Sequence, residues 1–151
     1  MNIQIDDLSS RETQDLLRLH LAGMHSNSPP GHVFALDLSG LKVPEVTVWS
    51  VWRGDAFCSI GALKRLDART GEIKSMRTHP GFLRQGVGRL LLNHIIEQAR
   101  ARGLRRLSLE TGSGPAFEPA LRLYRSHGFS DGEAFADYTR SPFNQFLHLD
   151  L

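Results

Sequence analysis

Two apolar rhythms alternate along the chain. In some stretches every second residue is apolar, and in others apolar residues return every three or four positions. "NIQID" reads as a short first strand, and "SSRETQDLLRLHLAGMH" then takes the helical spacing, with Leu16, Leu17, Leu19, Leu21 and Met24 as its apolar face. Ser9, followed three residues later by Glu12, predicts a capping box at its start. "NSPPGHVFALDLSGLKVP" is rich in turn formers and predicts at most a short helix around "HVFALDL". "EVTVWSVWR" and "AFCSIGALKRLD" are β-rich and meet at Gly54-Asp55, a hairpin signal. A turn at residues 69–71 leads into the strand "TGEIKSMRTH". A glycine loop, a long helix to about Arg102, the strand "RRLSLET", a helix beginning near Pro115 to Pro119 and ending at Gly128, and two terminal strand-like segments complete the order. The resulting sequence β-α-(α)-β-β-β-α-β-α-β-β predicts an α/β fold, with helices covering a mixed sheet.

Composition narrows the setting. A chain of 151 residues, 40% hydrophobic and without repeats or linkers, predicts one domain spanning residues 1–151. Its single cysteine, Cys58, excludes an internal disulfide, and "MNIQIDDLSS" lacks the pattern of a secretory signal. With one cysteine and no such signal the expected setting is the reducing cytoplasm, and no apolar run is long enough to span a bilayer, so no membrane partner is expected. A net charge of +2 does not by itself imply nucleic-acid binding. The basic run "ARARGLRRL" is better read as a solvated helix end, where Arg100 and Arg102 complement the dipole. The scattered histidines show no metal-ligand spacing, so no metal is expected. Cys58 reads as core, and Trp49 and Trp52, three apart in a strand, face opposite sides, one of them a candidate wall for a pocket.

The chemistry concentrates in "MRTHPGFLRQGVGRLLLNHIIEQARARG". Val87, Leu90, Leu91, Leu92, Ile95, Ile96 and Ala99 form a stripe wide enough to press this helix onto a sheet. At its mouth, Gln85-Gly86-Val87-Gly88 offers main-chain N–H groups at the positive end of the helix dipole, a seat for a phosphate. Arg84 and Arg89 add charge at the rim. The plainer alternative is a turn that needs glycine for its backbone angles alone. The loop has neither the Lys-Ser/Thr ending of a nucleotide P-loop nor the third glycine of a dinucleotide fingerprint.

Downstream, "EPALRLYRSHGF" places Ala120, Leu123 and Tyr124 on a helix that stops at Gly128. These two segments, in this order and spacing, resemble the GCN5-related N-acetyltransferase (GNAT) superfamily, firmly from Glu72 to Phe129 and weakly before Val46. "SPPGHVFALDL", "EIKSMRTHP", "LSLETGS" and "FADY" are also similar to its bacterial YsnE-like branch. The resemblance implies a mixed, mostly antiparallel sheet of about seven strands flanked by helices, with a splayed strand pair that binds acetyl-CoA. Two positions depart from the family pattern. Leu83 stands where Arg or Gln is usual, and Phe117 stands where many members carry an Asn that contacts the pantetheine arm.

By the same resemblance, Met76, Arg77 and Thr78 offer main chain to the pantetheine arm, and an N–H there stabilises the oxyanion. Arg84, Gln85, Gly86, Val87, Gly88 and Arg89 hold the pyrophosphate, and Phe117 and Tyr124 flank the arm. Tyr124 is the matching general acid, and its alternative is an aromatic anchor for the last helix. Glu72 and Glu110 compete as general base, and the alternative for each is a strand-end charge or an ion-pair partner of Lys74 or Arg106. His79 reads as a cofactor neighbour rather than a base. The acceptor pocket is expected from the 25–38 segment, including His32, and from "AFADYTR", where Asp137 attracts an ammonium group and Tyr138 forms a wall. The implied activity is direct transfer, in a ternary complex, from acetyl-CoA to a primary amine of a small metabolite, amino acid or peptide. The competing reading is a CoA-sensing or interaction module without turnover. Homodimerisation is implied only by analogy.

Overall fold

The computed structural model describes residues 1–33 and 37–151. The central part of the short helix expected around "HVFALDL" lies outside the described residues; beyond it the chain forms a single turn of helix, α2 (Leu38–Leu41), capped by Asp37. The strands are β1 (Asn2–Ile5), β2 (Val46–Arg53), β3 (Ala56–Arg65), β4 (Thr70–Thr78), β5 (Arg106–Thr111), β6 (Ser130–Asp131) and β7 (Gln145–Asp150). The longer helices are α1 (Arg11–Asn27), α3 (Val87–Ala101) and α4 (Glu118–Ser126). The strands form one sheet in the order β1-β2-β3-β4-β5-β7-β6. Among the described residues only β4 and β5 pair in parallel; the other neighbours run antiparallel. The seven-stranded, mostly antiparallel sheet flanked by helices is the expected α/β fold.

Local chemistry accounts for most of these elements. Gly54, with φ +60°, lets the β2–β3 hairpin close between the paired residues Arg53 and Ala56. Helix α1 corrects the expected cap. Its N-cap is Ser10, whose side chain accepts from the Thr13 N–H, whereas Ser9 is drawn outward by hydrogen bonds from its N–H and hydroxyl to the Asp7 carboxylate. The inward face of α1 is Thr13, Leu16, Leu17 and His20, and Leu19 stays exposed. In α3 the expected stripe is buried except for Leu90.

Two apolar clusters share the sheet. One joins α3 and α4 to Trp49, Cys58, Ile73, Leu107 and Leu109. The other joins α1 and α2 to Val48, Phe57 and Ile60. Cys58 is fully buried core, as its sequence context indicates. Trp49 packs with α3, where the Arg102 guanidinium covers its ring, while Trp52 lies with Phe57 in the other cluster. Neither tryptophan lines the cleft between β4 and β5, against the expectation that one would wall a pocket.

That cleft arises where the parallel pairing fails. Strands β4 and β5 pair only through residues 70–72 and 106–108, although both run on for several residues. Beyond that point they separate. The β3–β4 register also shifts between Ile60 and Ala62, and Ser75 takes a φ of +57°, which marks a bulge at the opening. Across the bulge, a Cβ on Gly61 would stand 2.5 Å from the Met76 sulfur, so glycine there makes room for the Met76 side chain.

Candidate active site

The glycine loop joins β4 to α3 through a tight turn at Pro80–Phe82, braced where His79 Nδ1 accepts from the Gly81 N–H. Arg84 and Gly86 both have positive φ, 60° and 79°. Gly86 is the α3 N-cap, without a side-chain cap, and the first intrahelical bond runs from Leu90 N–H to its carbonyl. The N–H groups of Val87, Gly88 and Arg89 are thus free of intrahelical partners at the positive end of the helix. Gly86 is required by its backbone angle, since a Cβ there meets open space. Gly88 lies close to Leu123 and Thr78. The Gln85 side-chain oxygen accepts from Arg53, which also covers the Phe82 ring. Arg84, Arg89 and Leu83 are exposed on the rim.

Between the splayed strands lies a cleft of about 150 Å³. One side is largely apolar, formed by Met76, Leu109, Ala116, Phe117, Ala120 and Tyr124. Phe117 packs edge-on against Phe143, so the position where the family pattern has Asn contributes an aromatic wall. Tyr124 is almost fully buried against Phe129, and burial pushes its phenol pKa above the usual range. It stays protonated at any ordinary pH.

The other side is polar. Glu72 is buried and accepts from Lys74 Nζ at 3.1 Å and from the Tyr138 hydroxyl, while Lys74 also donates to the Tyr138 oxygen at 2.7 Å. The Tyr138 phenol is pushed up by burial and by the adjacent carboxylates. Glu110, at the separating end of β5, is held in no such triad. Burial, with a smaller contribution from the Glu72 charge, raises its pKa to about 7, against the lowering effect of Lys74 and Asn144. The two candidate carboxylates therefore have different surroundings. Glu72 forms the ion pair with Lys74 that its sequence context allowed, whereas Arg106 pairs with Glu133 and Asp150 instead.

The structure brings Met76, Arg77, Phe117, Tyr124, Glu72 and Glu110 to one cleft, with the glycine loop beyond the end of β4. Tyr138 joins them through the Glu72–Lys74 triad. Asp137 is exposed and does not line the cleft, and His32 stacks edge-on against Phe143 outside it. His20, Asn27 and Ser75 also line the cleft and were not singled out by sequence reasoning. The available signal for His20 was its place in the 13-16-17-20 spacing of the α1 inner face. For Ser75 there was no signal, because a bulge depends on strand pairing.

A parallel pair opened beside a bare helix N-terminus offers an extended ligand a strand to pair with and its phosphates a seat, the arrangement of an acyl-CoA-using transferase. The pattern of the acetyltransferase (GNAT) family matches residues 12–129, and the chain belongs to this family of acetyl-CoA-dependent N-acetyltransferases. It is 52% identical over 147 residues to the N-acetyltransferase YsnE of Bacillus subtilis, covering 97% of each chain. Among solved structures, a Klebsiella pneumoniae protein described as an acyl-CoA N-acyltransferase matches with a TM-score of 0.84 and 26% identity, covering 99% of this chain and 97% of that one. A GNAT family acetyltransferase from Elizabethkingia anophelis with acetyl-CoA bound shares the fold, with a TM-score of 0.73 at 19% identity over 99% and 97% of the chains.

Proposed function

We propose that this chain transfers the acetyl group of acetyl-CoA to a primary amine of a small metabolite, amino acid or peptide, by direct attack in a ternary complex. The observation that carries this reading is Glu110, a carboxyl group with a pKa of about 7 in the same cleft as a protonated, buried Tyr124. Such a pair supplies a base and an acid at neutral pH. Acetyl-CoA supplies an acyl group already activated as a thioester.

The acceptor nitrogen forms its bond to the thioester carbonyl carbon, and the carbon–sulfur bond breaks. Glu110 takes the proton that the nitrogen must lose. The Tyr124 hydroxyl donates its proton to the departing sulfur, giving the CoA thiol, and the phenolate then takes up a proton from water as Glu110 releases the one it took, so both groups return to their starting states. Main-chain groups of Met76 to Thr78 on the side facing the gap have no β5 partner, which suits them to pair with the pantetheine arm and to hold the carbonyl oxygen. The N–H groups at Val87, Gly88 and Arg89 receive the pyrophosphate, with Arg84 and Arg89 at the rim. Glu72 is a positioning residue, fixing Lys74 and Tyr138 and adding to the field that raises Glu110.

Calorimetric titration with acetyl-CoA and CoA tests the first step. The natural chain should bind both. Gly86→Glu, which places a side chain at φ +79° and a negative charge in the phosphate seat, should bind at least tenfold more weakly, as expected when about 1.4 kcal/mol is lost. Absence of binding to the natural chain would overturn the reading. Binding without thiol release for any amine would support a CoA-sensing module instead.

A further inference from the structure

The polar side of the cleft holds more donors than the acetyl transfer uses. Arg77 lines it, and its guanidinium nitrogens lie 3.3 Å from where a Cβ would stand on Gly23. The missing side chain on α1 is the seat of that guanidinium. Among the described residues no carboxylate pairs with Arg77 and no side-chain hydrogen bond holds it. Two residues lining the same cleft, His20 and Ser75, each only 7% exposed, carry a buried polar atom, Nδ1 and Oγ, without a hydrogen-bond partner among the described residues. Orphaned buried polar atoms are uncommon because each costs free energy, so two of them on one cleft beside an unpaired cation point to a ligand.

We infer that the acceptor amine also carries a carboxylate, received by Arg77 together with His20 and Ser75, while Glu110 meets the amine; this rests on the amine acetyltransferase reading. The guanidinium fork matches a carboxylate's two oxygens, and a hydroxyl supplies a further donor. Burial, with Arg77 nearby, keeps the His20 imidazole neutral, its pKa lowered to about 4, so it adds no second cation. In the tautomer that carries its proton on Nδ1, it donates as well. The charge order across the cleft is cation at Arg77 and carboxylate at Glu110, the mirror image of an amino acid's own. The Lys74–Glu72 pair is already satisfied within itself and leaves that order unchanged.

The test is thiol release from acetyl-CoA with protein amino acids and short ω-amino acids, each run beside its own carboxamide. An acid should be favoured over its carboxamide. Arg77→Gln should lower that preference by about tenfold to a hundredfold, the cost of losing a charge-assisted contact, with the loss in the acceptor's KM. Arg77→Lys should restore part of it, and Ser75→Ala should lower it by a smaller factor, which separates recognition from misfolding of any one variant. Equal use of acids and carboxamides would overturn the inference, as would a loss in Arg77→Gln confined to the KM of acetyl-CoA. Failure of every amine would instead remove the acetyltransferase reading and this inference with it. Acetylation of amines without an acid preference would remove this inference alone.

Discussion

Glu72 and Glu110 are the same residue type on neighbouring strands, and their surroundings set them apart. Glu72 accepts from an ammonium and a phenol, whereas Glu110 is desolvated without such a triad. A base works only when ionised, so kcat/KM should climb as pH rises through about 7 and level off above it. Glu110→Gln should lower kcat by about a hundredfold to ten-thousandfold and remove that inflection, leaving any inflection that belongs to the acceptor. An unchanged profile would move the base elsewhere. Sequence put Glu72 at the start of one strand and Glu110 at the end of the next and kept both as candidate bases. The residue separation along the chain carries no information about which one is bonded to Lys74 and Tyr138, since Tyr138 arrives from a distant segment.

At the scale of elements, helix starts and strand ends decide where side chains arrive. Two serines precede α1, and capping depends on which is the last non-helical residue. Ser10→Ala should destabilise the fold by about 1 kcal/mol in urea titration, and Ser9→Ala by less than about half of that, since Ser9 bonds only to exposed Asp7. Equal losses would return the cap to Ser9. The cap sets the phase of α1 and so brings His20, Gly23, Met24 and Asn27 to the cleft. The alternation in "TGEIKSMRTH" announced β4, but neither the bulge at Ser75 nor the early end of β4–β5 pairing was visible in it. Both arise from the partner strands.

At the scale of the whole molecule, a buried histidine and a half-buried glutamate on the cleft act against each other. Glu110 has a raised pKa, so its contribution to stability is fully present below the unfolded value of 4.5 and is lost as pH rises through about 7. His20 has a lowered pKa, so its contribution is present above 6.5 and is lost as pH falls through about 4. Between 4.5 and 6.5 the two slopes oppose one another. Relative to the natural chain, Glu110→Gln should therefore gain stability as pH rises from 4.5 towards 7. His20→Asn should lose ground as pH rises from 4 to 6.5. Urea midpoints across this range give the comparison, and parallel curves for all three proteins would contradict it.

By itself the sequence determined the order of elements, the glycine-mouthed helix, the family resemblance and the two segments that carry Tyr124 and the phosphate seat. Those features are local, written in periodicity, turn chemistry and short motifs, so neighbours in the chain suffice to specify them. Tertiary structure decided the rest. It set the splay of β4 from β5, buried Glu72 with Lys74 and Tyr138, left Asp137 outside the cleft, and gathered His20, Ser75 and Arg77 on one polar wall. Burial and the proximity of charges depend on distances between distant segments, and these exist only once the sheet has opened and α1 has packed across it.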